Sequence, residues 1–106
     1  MAGPVFSLAV QDNGMIVAGG GFRRVGGPAN YIRLGAARFL PDGSVEGDFS
    51  PNVTQLSGSG EATVHTVNVQ ADGRIIIGGN FTRLGTLENI FRVRLARFAP
   101  SGALEA

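Results

Sequence analysis

Three arginines recur at matched spacing along this chain: Arg24, Arg33 and Arg38, then Arg83, Arg92 and Arg97. A guanidinium carries five donors in a planar fork that suits carboxylates, phosphates and paired carbonyls. Glu46 and Glu105 recur at the same spacing. Arg38, Arg97, Glu46 and Glu105 are therefore expected to tie structural units together, arginine to glutamate or arginine to turn carbonyls. Arg24, Asn30, Arg83 and Asn89 fall in the two longest segments between strands and are the candidate ligand-binding residues, for an anion or a sugar. All nine basic residues are Arg. That reads either as a demand for the fork or as a compositional habit of the source genome.

Material for catalysis is sparse. Cysteine is absent and His65 is the only histidine, so Cys/His or Ser/His/Asp chemistry would hang on one imidazole. His65 sits in an alternating apolar stretch, the setting of a packed or solvent-tipped strand histidine. Of the carboxylates, Asp12, Asp42 and Asp72 lie in turn sequences, where Asp serves local hydrogen bonds. Asp48, Glu61 and Glu88 complete the set with the two recurring glutamates. No Asp/Asn run has the spacing of a calcium loop, and Gly19–Gly20–Gly21 lacks the Lys-Ser/Thr and the helix of a phosphate loop. No catalytic residue, metal site or cofactor is assigned.

The bulk properties restrict partners. A net charge of +1 gives no electrostatic reason for nucleic acid or an anionic membrane. No signal peptide or transmembrane span is read, the strongest apolar stretch, Ile75–Ile76–Ile77, being far too short to span a bilayer. The chain is therefore expected to be soluble, with its compartment open. Seventeen glycines and 16% charged residues are the composition of many short strands joined by tight turns, and 43% hydrophobic residues argue against disorder.

The elements that must position these residues come in two copies. Sliding the chain by 59 residues aligns it with itself without a gap, and 18 of 42 pairs are identical, which marks a true internal repeat. Each copy reads as up to four strands. The first lies near 4–11 and 63–70, with Phe6, Leu8 and Val10, or His65, Val67 and Val69, on one face. Turns at Asp12–Asn13–Gly14 and Ala71–Asp72–Gly73 lead to strands near 15–19 and 74–78. Segments of about a dozen residues, 20–31 and 79–90, are candidate functional loops. Third strands are expected near 32–40 and 91–99, then turns at Pro41–Asp42–Gly43 and Pro100–Ser101–Gly102. A short fourth strand follows near 44–49.

Four antiparallel strands per repeat of this length is the pattern of a β-propeller blade. The expected fold is all-β: one repeat domain over residues 1–106, with blade 1 at about 4–50, a linker at about 51–62, and blade 2 at about 63–106. A small two-repeat β-sandwich is the alternative. The string Leu8–Ala9–Val10–Gln11, Gly14, Ile16–Val17, Gly19–Gly20, Phe22, Ala37–Arg38–Phe39, Asp42–Gly43–Ser44 resembles the delta-60 repeat of bacterial proteins. The second copy matches at Val69–Gln70, Asp72–Gly73–Arg74–Ile75, Gly78–Gly79–Asn80–Phe81–Thr82, Leu95–Ala96–Arg97–Phe98 and Gly102. The resemblance implies a propeller of tandem repeats within longer, often cell-surface or secreted proteins, and implies no reaction.

Two blades cannot cover their own outer faces, and a closed propeller has about four to eight. The expectation is a homo-oligomeric ring, a trimer first, acting as a non-enzymatic structural or binding module for a carbohydrate or protein ligand. Two periods exceed the 106 residues by 12, the length of the linker, so a symmetry mate would continue the ring there. A fragment of a longer protein is the other origin for such a chain. The alternative activity is a carboxylate-based glycosidase or lyase at the propeller channel, which needs two carboxylates about 5–10 Å apart in one pocket.

Overall fold

A computed structural model describes residues 4–25, 31–47, 49, 51–54, 62–84, 90–91 and 94–104. These form twelve strands: β1 (Val5–Val10), β2 (Ile16–Gly20), β3 (Arg24–Val25), β4 (Tyr31–Ile32), β5 (Ala36–Phe39), β6 (Val45–Glu46), β7 (Val53–Thr54), β8 (Thr63–Val69), β9 (Ile75–Asn80), β10 (Arg83–Leu84), β11 (Ile90–Phe91) and β12 (Leu95–Phe98). Among the described residues no helix is long and apolar enough to cross a membrane.

Blade 1 is the antiparallel sheet β1-β2-β5-β6, and blade 2 is β8-β9-β12. Among the described residues, blade 2 has at the fourth-strand position the bridge Phe98↔Leu104. Leu104 stands where blade 1 has Val45, which pairs with Phe39. The expected loops carry small ladders of their own. β3 pairs with β4, and β10 pairs with β11 on one side and with β7 on the other. The linker thus adds a strand to the small ladder of β10 and β11, which hydrophobic periodicity over two residues could not reveal.

Four turns share one design. Gly14, Gly43, Gly73 and Gly102 all have φ between 88° and 104°, the left-handed region open to glycine. Each turn has a side chain at its second residue that accepts from the main-chain N–H two positions on. Asn13 Oδ1 serves Met15 N at 3.0 Å, and Asp42 Oδ1 serves Ser44 N at 2.9 Å. Asp72 Oδ1 serves Arg74 N at 3.0 Å, and Ser101 Oγ serves Ala103 N at 3.4 Å. The main-chain N–H groups of Ser44 and Arg74, followed by the side chains of the same residues, hold the Asp42 and Asp72 carboxyls below their ordinary value.

The alternation expected for the first strand of each copy slips. The register shifts between Val5 and Ser7 and again between Val64 and Thr66. One residue is therefore bulged at Phe6 and at His65. Opposite each bulge stands a glycine, Gly20 or Gly79, whose Cβ would overlap the main-chain oxygen of Pro4 or Thr63. The bulge turns His65 out to an exposed position instead of onto the apolar face. Its ring stacks on Phe6 at 5.1 Å, and Nε2 lies 3.0 Å from Thr63 Oγ1.

The larger buried cluster lies between the blades, and a smaller one, Ala18, Phe22, Val25 and Ala37, lies on the other side of blade 1. Val17 and Ala36 from blade 1, with Phe49 and Val53, meet Val64, Val67, Ile75, Ile77, Phe81, Leu84, Ala96 and Phe98. The blade 1 counterparts of those blade 2 residues include Leu8, Ala18, Ala37 and Phe39. In the ladder they lie on the face opposite Val17 and Ala36. The two sheets therefore pack with non-equivalent faces, head to tail. A two-fold sandwich would bury the same face of both copies, so the sandwich alternative does not describe this stack. Phe49 closes the core edge-on against Phe98 at 5.1 Å.

Candidate functional site

The joint between the blades is organised by Arg38. β5 places it directly across from Val17 on β2 and from Glu46 on β6, so all three share the inner face of blade 1. Only 2% of Arg38 is exposed. Its Nε donates to Glu46 Oε1 at 2.8 Å. Nη1 donates to the main-chain oxygen of Pro100 at 2.7 Å, and Nη2 to that of Ser101 at 2.8 Å. Nη1 also reaches Gln11 Oε1 at 3.4 Å. The guanidinium carbon lies 5.8 Å from the Phe49 ring centroid. Glu46 Oε1 additionally accepts from Phe49 N at 3.2 Å.

This arrangement suits its chemistry. A buried charge is tolerated where it is paired and its donors are satisfied. The fork meets a carboxylate on its own blade and two consecutive carbonyls on the next, which a single ammonium could not span. The turn Pro100–Ser101–Gly102 can offer both carbonyls because Gly102 takes φ 104°. The contact crosses from one repeat to the next, so it links the copies and is not a fold of one copy upon itself.

A second polar clamp fixes the path between the copies. Asn52 has φ 49°, a conformation Asn tolerates better than most residues, and its Oδ1 accepts from Leu34 N at 2.9 Å. Val53 N then donates to Leu34 O at 2.9 Å. Ser7 Oγ accepts from Val67 N at 3.1 Å, a further bond from blade 1 to blade 2.

Of the candidate residues, Arg38 and Glu46 are brought together. Arg97 lies on β12 across from Ile76 and is exposed, and Glu105 lies outside the described residues. Arg24 and Arg83 take equivalent places on β3 and β10, with their side chains outside the description. Asn30 and Asn89 also fall outside the described residues. Gln11, Phe49 and Asn52 belong to the joint without having been singled out. For Gln11 a signal was present, since Gln70 repeats it. Phe49 stands in the string Asp48–Phe49–Ser50–Pro51, which resembles the tail of the delta-60 repeat, while Asn52 has no counterpart in the aligned copies. No group of three or more metal-ligating side chains occurs among the described residues.

Comparison with known proteins agrees with this architecture. A family model described as a domain of unknown function (DUF5122) beta-propeller matches residues 11–49 and again residues 70–106. The two matches begin 59 residues apart, the period of the internal repeat. No curated protein and no solved structure matches the chain.

Proposed function

The chain belongs to the family of β-propeller domains of unknown function (DUF5122), and from that membership we propose that it is a non-enzymatic propeller module whose blades stack with those of further copies into a ring. The observation that carries this reading is the contrast between the equivalent first strands of the two blades. Val67 in blade 2 is 6% exposed, while Leu8, one repeat earlier, is 65% exposed. Val5, Phe6 and Val10 are exposed beside Leu8. Exposed apolar side chains of this kind along one strand mark a surface that meets another protein surface. Cyclic stacking covers such a face without leaving a free edge.

A trimer of about six blades is the ring that two-blade chains favour. The motif set that resembles the delta-60 repeat supports a scaffold role. A carbohydrate or protein ligand would be held once per blade by Arg24, Asn30, Arg83 and Asn89. Light scattering at micromolar concentration tests the ring: a species of about three times the 11.0 kDa chain mass is the expected result. A well-folded monomer across that range would sink the reading.

A further inference from the structure

Arg97 holds in blade 2 the position of Arg38 in blade 1, and its surroundings are half of the same site. In blade 1 the guanidinium is buried, with Gln11 Oε1 as one of its acceptors. In blade 2 the equivalent acceptor, Gln70 Oε1, is buried and has no hydrogen-bond partner, while Arg97 is exposed. Pro100 and Ser101 supply to Arg38 two consecutive turn carbonyls from the next blade. One repeat earlier those residues are Pro41 and Asp42, and they lie exposed on the turn of blade 1. That turn has the same glycine geometry at Gly43.

We propose that Arg97 and Gln70 form the receiving half of a head-to-tail contact with a second copy of this chain, whose Pro41–Asp42 turn offers its two main-chain oxygens to the Arg97 guanidinium. The inference rests on the ring reading above and specifies its joint. Two further features of the internal joint transfer with it. A Cβ at Gly19 would lie 2.6 Å from Val64 Cγ1 and 3.0 Å from Val67 Cγ1, so Gly19 is the seat of those side chains. Gly78 is the equivalent seat and receives Val5 and Leu8 of the second copy. Ser7 Oγ accepts from Val67 N in the internal joint; Thr66 has a hydroxyl at the same position for Leu8 N. The external joint also has charge in its favour. Asp42 stands where the internal joint has Ser101, which brings a carboxylate beside the incoming guanidinium.

The contact is heterologous, since each chain presents a different face at each end. That property supplies the test. Leu8→Asp blocks the apolar end and Arg97→Ala the arginine end; both side chains are exposed, so each variant retains the wild-type circular dichroism spectrum. Sedimentation should show each variant alone with self-association weakened by about tenfold to a hundredfold, the loss expected for a charge-assisted hydrogen-bond pair. Mixing the two should restore one joint and yield a species of two chains that does not grow further. Wild-type association that Arg97→Ala leaves unchanged, or a mixture that forms no pair, overturns the contact and leaves the ring reading standing. A wild-type chain that stays monomeric overturns both.

Discussion

Replacing Arg38 with Ala leaves the Glu46 carboxylate and the main-chain oxygens of Pro100 and Ser101 short of a donor in a site that is almost fully covered. Breaking a buried ion pair by removing one partner costs about 3–5 kcal/mol. A urea titration of Arg38→Ala should show that loss, and Arg38→Lys should recover only part of it, since one ammonium cannot serve a carboxylate and two carbonyls at once. Arg94 shows the opposite case. It has φ 69° where blade 1 has Gly35 at φ 83°. The left-handed region costs an L residue about 1–2 kcal/mol, and part of that is returned by the stiffer unfolded chain. Arg94→Gly should therefore raise stability by about 0.5–1 kcal/mol in thermal unfolding; a lower melting temperature would contradict the strain.

At the scale of elements, the bulged first strands depend on glycines across the ladder. A methyl group on Gly79 would overlap Thr63 O and crowd Val64 Cα at 2.8 Å. Those are backbone atoms with no rotamer to yield. Gly79→Ala should cost about 1–3 kcal/mol or more, seen as a lower urea midpoint, whereas Gly43→Ala meets nothing within 4 Å and is penalised only through φ. The sequence made the blades legible because the first strand of each copy alternates and each turn ends in glycine at a fixed offset. It did not make the bulges legible, because Phe6 and His65 preserve the appearance of alternation while the register slips past them. The ladders β3–β4 and β10–β11 also escaped notice, since two-residue strands leave no period to detect. Of the inter-blade site, Arg38 and Glu46 could be found because they recur. Turn carbonyls were expected as the other class of acceptor, but which turn supplies them could not be read, because main-chain acceptors have no residue signature.

At the scale of the molecule, the proposed stacking of the chain on its own copies would make each copy a stabilising ligand for the next. The melting temperature should then rise with protein concentration by mass action, measured by calorimetry over a dilution series, and should be flat in Leu8→Asp. The strand β7 has a separate consequence. Within a chain it laces blade 1 to blade 2 by pairing with β10, so Arg83–Leu84 has neighbours on both sides. Among the described residues Arg24–Val25 has a neighbour on one side only. Matched positions of the two repeats should therefore differ in how long their amides keep their protons. In deuterated water, Arg24–Val25 should exchange sooner than Arg83–Leu84, so that the two blades differ in kinetics more than in sequence.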